Sequence, residues 1–430
     1  QDPKQLVQIT PGLTYNTLAA YSIVYIRGVG SDIFVPHADQ SVATYIDGVY
    51  YPFSHGQASA LGSIERVEIL KGPQGTLFGR NTTGGAISIV TRQPDPKDPF
   101  NVSASVGYES YDKRSVRLFT NIPLTETLAL SMSGLRYEGD SYYKQGDRTP
   151  IQNPAAELSE GFSAKAAWNP VDELQAVLGY TYVNTRTTVG ILNPPFERFP
   201  AGIAAGITVD GNYVNNANAP VYADTKLGSA TADIQYAAPW FNVRFIGADQ
   251  RIRSPGMFDW DGGEKPLVSF EATGQFSDIT TAELQLISSD ESAPEWLSWI
   301  GGVYYIDSTA GFDPINLFVG AGALDFLARP AGPLSNVTSV LFQTLLDVPG
   351  LGPVLNSPGV GNGINLRAVG TLETESYAFF AQATAKLSES WSLTLGGRYQ
   401  EEKRGLGKAA SAVVIPNTNE TFPLLGFGTP

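Results

Sequence analysis

From Phe100 onward the chain alternates apolar and polar residues with period two. Val102, Ala104, Val106 and Tyr108 share one face, and Ser103, Ser105 and Gly107 share the other. Further on, Val116, Leu118 and Ile122 oppose Ser115, Arg117 and Asn121, while Leu174, Ala176, Leu178, Tyr180 and Tyr182 oppose Gln175, Gly179 and Thr181. Near the end Trp391, Leu393, Leu395 and Tyr399 oppose Ser392, Thr394, Arg398 and Gln400. Such patterning predicts strands that separate an apolar medium from water. It places them near 101–109, 112–123, 127–137, 160–168, 173–186, 226–238, 240–252, 278–289, 296–307, 373–387 and 390–403.

A soluble β-sandwich alternates too, but three features favour a transmembrane barrel. The segments cluster near the roughly 9–11 residues that a tilted strand needs to cross a bilayer. Their connections alternate in length: ET, NPVDE, APW, SAPE and SES are short, whereas 138–158, 189–225, 255–270 and 309–370 are long. Short periplasmic turns and long external loops are the outer-membrane pattern. Finally, Trp168, Trp240, Trp296, Trp299 and Trp391, five of the six tryptophans, lie beside the short turns. That is where an interfacial girdle belongs. The eleven predicted strands are an odd number, whereas bacterial single-chain barrels close with an even one. An open edge in hydrocarbon leaves backbone groups unpaired. A second chain or a further segment is therefore expected to complete the barrel.

Before Phe100 the texture differs. PDPKDP, Pro94 to Pro99, breaks regular structure, so the expected division is 1–98 and 99–430. The chain has 430 residues with a net charge of −14, against a nucleic-acid partner, whose phosphates need a basic face. Only 16% of residues are charged, 11% are aromatic, and there is no cysteine for disulfides or thiolate metal sites. The two histidines support no nucleophile–base constellation, so no catalytic residue, enzyme activity, cofactor or metal site is assigned.

The order YIRGVG (25–30), VATYIDGVYYP (42–52) and IERVEILKGPQGTLFGRNTTGGAISIVTRQP resembles the plug domain of TonB-dependent outer-membrane transporters. AELQLISS at 282–289 and SWSLTLGGRYQEEKR at 390–404 are similar to barrel segments of that family. The resemblance implies a mostly β fold: a transmembrane antiparallel β-barrel of 22 strands, about 11 of them here, with an N-terminal α+β plug in its lumen. It implies active transport of a scarce nutrient, such as a ferric siderophore, through the outer membrane of a Gram-negative bacterium. The partners implied are the inner-membrane TonB complex, reached through a segment expected ahead of Gln1, outer-membrane lipid and lipopolysaccharide, and a small-molecule substrate. A passive porin-like channel and a surface adhesin are the alternatives.

Within the motif, Gly72, Gly75, Gly79, Gly84 and Gly85 serve tight reversals and close backbone approach, with VEIL and AISIV as short strands. A phosphate loop would need GxxxxGK[ST], and Lys71 precedes the glycines instead. Glu65 and Glu68 flank Arg66 and are read as local ion pairs. The resemblance makes Arg27 and Lys71 plug-side partners of wall carboxylates. Glu283, alternating with Leu284 and Leu286, should face the lumen as one such partner. The plug apex (Asp32, Phe34, His37, Tyr50, Tyr51, Phe53 and His55) is the expected ligand-contacting cluster. In 309–370, Val337, Val340, Leu341 and Leu345 have helical spacing; so apolar a loop is a candidate lid over the barrel mouth, a partner contact or a contact for an apolar substrate.

Overall fold

Alternation over some ten residues leaves one stable option in lipid: strands that pair side by side and turn one face outward. The computed structural model realises it. It describes residues 3–18, 21–31, 39–52, 63–140, 144–147, 156–187, 214–259, 263–289, 294–321, 323–324, 363–416 and 421–423. Eleven long strands form one antiparallel wall: β8 (Asn101–Glu109), β9 (Lys113–Pro123), β10 (Leu128–Asp140), β12 (Ala156–Val171), β13 (Leu174–Thr187), β15 (Tyr222–Ala237), β16 (Phe241–Arg253), β19 (Gln275–Ser288), β20 (Leu297–Val319), β21 (Ile364–Ser388) and β22 (Trp391–Val414). Each pairs with its sequence neighbours, and all eleven coincide with the periodicity. Among the described residues, the wall's outer strands are β8, paired only to β9, and β22, whose far side meets only β23 (Thr421–Pro423) over three residues.

Short strands on the loop side extend the wall: β17 (Gly256–Asp259) and β18 (Val268–Ala272) join it, and β11 (Lys144–Gln145) pairs with β14 (Val214–Asn215). Here the structure departs from the periodicity. Residues 309–319 and 364–370 were expected as loop, yet β20 and β21 continue through them as a long hairpin. Pro314 falls in the register irregularity between Phe312 and Ile315, where a missing N–H costs no ladder bond. The stretch with helical spacing, around 337–345, lies outside the described residues.

The outward face is apolar: Leu118, Met132, Phe162, Leu178, Ile234, Phe245, Leu284, Val303 and Phe379 are all exposed. Trp168, Trp240, Trp296 and Trp391 are exposed beside the short turns. The inward face is less polar than expected. Leu135, Val183, Leu227, Ile246, Ile252, Ile279 and Ile306 form an apolar collar in the lumen, continuous with the core of the N-terminal region.

That region starts with helix α1 (Pro3–Ile9) and a small sheet of β1 (Leu13–Leu18), β2 (Tyr21–Ile26) and β3 (Val29–Gly30). A second sheet follows in the order β5-β4-β7-β6, from β4 (Val42–Ile46), β5 (Val49–Tyr51), β6 (Ile64–Lys71) and β7 (Gly85–Thr91). Its Val42, Tyr45, Ile46, Val49, Ile87 and Ile89 are buried against the collar. A fully buried side chain of this kind contributes about 1.5–3 kcal/mol, so the hydrophobic effect seats the plug. Gly72 N–H reaches Gly84 O at 3.1 Å, closing the expected reversal. Gly85 has φ +142°, and a Cβ there would lie 2.2 Å from Leu70 O. Only glycine lets β7 lie this close to β6.

Candidate functional site: the seam between plug and wall

The Asp47-Gly48 pair, with φ of 52° and 82°, makes the tight hairpin between β4 and β5. The turn pushes Gly48 against Ile246 of the wall and aims the Asp47 carboxylate at Lys165 of β12. Lys165 Nζ lies 2.7 Å from Asp47 Oδ2 and also donates to Thr91 Oγ1 and to Gln93 Oε1. Asp47 further accepts from Thr91 N–H and Thr91 Oγ1, both at 2.8 Å. Only 9% of the Lys165 side chain is exposed. The ammonium's three donors are thus all engaged, which is what makes a buried charge tolerable.

A second junction lies towards the long-loop end. Asp39 of the plug pairs with Arg404 of β22 at 2.5 Å, and Arg80 of the plug with Glu402 of β22 at 2.8 Å. Asp39–Arg80 and Arg404–Glu402 contacts close the square. Burial opposes ionisation of Asp39, but the Arg404 and Arg80 guanidiniums outweigh it and hold the carboxyl below its ordinary value. Asn81, at φ 64°, donates from Nδ2 to both Asp39 and the Tyr50 hydroxyl. A small cleft opens beside this square, lined by Tyr50, Pro52, Ile306, Ser308 and Leu372 as well as by Asp39, Arg80 and Arg404. Between the two junctions Arg398 of β22 passes over Gly79, where a Cβ would sit 2.7 Å from its guanidinium, and spans the rings of Tyr304 and Phe380.

The residues proposed from sequence fare differently. Arg27 occupies a turn at φ 53° with its side chain exposed, and no hydrogen bond or ion pair involves its guanidinium among the described residues. Lys71 ends β6, at the edge of its sheet, and donates to Pro11 O at 2.9 Å. It ties the two plug sheets to each other, not the plug to the wall. Glu283 does face the lumen, but it accepts from Gln285 at 2.6 Å and lies in the field of Arg398 and Arg244, all on the wall. The latches in the described structure are Asp47–Lys165 and the Asp39/Arg80/Glu402/Arg404 square. The first reverses the expected sign, with the acid on the plug. Glu65 and Glu68 pair locally with Arg66, as read.

Tyr50 and Tyr51 are buried, not presented to an open vestibule. The Tyr51 hydroxyl donates to Ser229 of β15, and Gln250 of β16 donates to the Tyr50 carbonyl at 2.9 Å. Burial pushes both phenols up to about 12. Of the pair, Tyr50 alone lines the cleft. Asp32, Phe34, His37, Phe53 and His55 lie outside the described residues.

A lipid-facing wall wrapped about a small mixed sheet defines a plugged outer-membrane barrel, and its N-terminal sheet region is similar to the plug of TonB-dependent receptors. Residues 1–86 match the family model of the TonB-dependent Receptor Plug Domain. The pesticin receptor of Yersinia enterocolitica is 32% identical over 155 residues, 35% of this chain and 21% of that protein. The iron-regulated outer membrane virulence protein of Vibrio cholerae is 26% identical over 201 residues, 44% of this chain and 30% of its own length. The fold matches that of the ferric yersiniabactin uptake receptor FyuA from Yersinia pestis with TM-score 0.70 at 18% identity, over 97% of this chain and 56% of that one. The chain thus spans little more than half of that solved relative. Its place is the outer membrane of a Gram-negative bacterium.

Proposed function

We propose that this chain is the plug and leading wall strands of an active transporter that carries a scarce nutrient, a ferric siderophore or a similar small ligand, into the periplasm. Residues 1–98 act as the plug and 99–430 as wall. The observation that carries the reading is the seam, where a small sheet is pinned inside the barrel by a buried ion pair and a charged square. A passive porin-like channel gains nothing from a pinned stopper, and an adhesin needs none. Relatives named as receptors for iron chelates support the substrate class. The chain acts as a receptor, not an enzyme. Ligand arriving from outside is contacted by the plug-apex residues Asp32, Phe34, His37, Phe53 and His55, and by Tyr50, which lines the cleft. The TonB complex then supplies the force that parts the seam.

The test is uptake of radioactive iron, presented as a panel of ferric siderophores, by cells in which the full-length protein is the sole candidate receptor. Uptake of at least one chelate that ceases on loss of TonB supports the reading. Uptake that persists without TonB refutes it in favour of a passive pore.

A further inference from the structure

The apolar collar does not run all the way round the wall. Among the described residues, β8 and β9 contribute no side chain to it. The inward series of β8 is Ser103, Ser105 and Gly107, all small. A cavity of about 280 Å³ opens here, between the two strands and Ser63, Ile64 and Arg92 of the plug. It lies towards the short-turn end of the seam, because Arg117 and Phe119 line it and β9 ends at Pro123. The Tyr50 cleft, beside Ser308 and Leu372, lies towards the long loops.

Two cations share the cavity, and neither is neutralised. The Arg92 guanidinium lies over the Phe119 ring, 5.2 Å from its centre. Arg117 is on the same face of β9 as Phe119, about 7 Å along the strand, and stands directly opposite Ser105. No hydrogen bond or ion pair involves either guanidinium among the described residues. The acid lining this cavity, Glu65, is engaged by Arg66 at 3.4 Å. By contrast, Arg80, Arg244 and Arg404 of the same seam each hold a carboxylate within 2.8 Å. Unpaired cations in one cavity repel, and an oxyanion between them removes the repulsion while accepting from both. Arg92 also stands between Thr91 and Gln93, the two plug residues that hold Lys165. An anion drawn to it lies one residue from the node where plug and wall must part.

We infer that this cavity is an oxyanion site on the exit side of the seam, taken by acidic groups of the cargo after it has passed the Tyr50 cleft. The inference rests on the transport reading, in which the short turns face the periplasm.

The test uses the full-length protein in detergent micelles, with phenylglyoxal as the arginine reagent and malonate and inorganic phosphate as probe oxyanions. Mass spectrometry resolves Arg92 from Arg117. Both should react in anion-poor buffer, and either probe should protect the two together along one saturable curve. A hydrogen bond to a charged group is worth about tenfold or more, so Arg117→Gln should weaken the probe's protection of Arg92 about tenfold. Arg117→Lys should lose less, and Arg136→Gln, on the outward face of β10, should change nothing. In cells, Arg92→Gln/Arg117→Gln should bind a transported ferric chelate at the surface as the parent does, which also shows that it folds, yet take it up several-fold more slowly. Arginines that are inert before any anion is added are already paired by the rest of the wall, which overturns the inference. Lost protection with unchanged uptake makes this a site for a free anion such as phosphate; that outcome overturns the inference and leaves the transport reading standing. A parent that takes up no chelate strikes the transport reading itself, and the assignment to cargo with it.

Discussion

Asp47→Asn removes the acid from a pair whose lysine is 9% exposed. The Lys165 ammonium then keeps only neutral acceptors, the Thr91 hydroxyl, the Gln93 amide oxygen and the amide oxygen of the new asparagine. An orphaned buried charge costs about 3–5 kcal/mol, well above the value of a surface pair. For a plug-sized unit with a urea slope of about 2 kcal/mol/M, the plug's midpoint should fall by roughly 1.5–2.5 M. The chain has no cysteine, so a single introduced cysteine on β4 can carry a spin label that reports the plug alone. Lys165→Met should be milder, because Asp47 retains the Thr91 N–H and hydroxyl and is 23% exposed. The double variant Asp47→Asn/Lys165→Met should recover much of the loss, since no unpaired charge remains. A midpoint for Asp47→Asn within 0.3 M or so of the parent would refute the assignment of this pair as the plug's anchor.

Further tests follow from the same seam. Asp39 has a depressed folded-state pKa, so its contribution is complete above the usual carboxylate range near pH 4 and fades as pH falls through the lower folded value; acid should loosen the upper square, and Asp39→Asn should remove that dependence in the label signal. Tyr50 titrates near 12 against about 10 when unfolded, so its contribution is intact below pH 10 and disappears as pH rises through 12; Tyr50→Phe should flatten the alkaline arm of the plug's stability profile. Gly85→Val would drive a side chain into Leu70 O, so β6 and β7 should fail to pair, and limited proteolysis should cut the plug while the wall stays resistant. Tryptophans 168, 240, 296 and 391 are exposed at one rim, so lipids brominated near the head group should quench fluorescence more strongly than lipids brominated at the chain ends.

The wall was legible because a strand in lipid must obey a strict rule at every second residue. Leu174 to Tyr182 could hardly read otherwise, and each of the eleven strands coincides with its pattern. What failed was the extension of β20 and β21: strands sized to cross a bilayer end near 307 and begin near 373, yet the pairing continues past both through a register irregularity. The apolar collar of Ile246, Ile279 and Ile306 was hidden for a different reason. Each shares its inward face with polar residues, Gln250 on β16, Thr281 on β19 and Ser308 on β20, and only the assembled ring meets the plug. The latch was least legible. Residues 47 and 165 are far apart in the chain, so no local spacing joins them. The one available signal was Lys165 itself, a lone cation between Ser163 and Ala167 on the inward side of its strand.

The placement of Lys71 bears on the order in which the plug would yield. Its bond to Pro11 O joins the edge of the central sheet to the segment just after α1, and it is exposed to water. An exposed contact of this kind is worth about 1 kcal/mol or less. Asp47–Lys165 lies at the far side of the same sheet, beyond β7 and β4, and is several times stronger. A pull entering through α1 therefore meets the weak tie first and the anchored node last. Under the proposed function, the peripheral sheet of β1 and β2 peels away while β4 and β7 are still pinned to the wall. Lys71→Gln should then lower the force at which the first segment detaches and leave the force of the final rupture unchanged; Asp47→Asn should do the reverse. Single-molecule pulling on the N-terminus of the full-length protein measures both. A final rupture force that moves with Lys71→Gln would place the node and the tie in one cooperative unit, and the sequential order would be wrong.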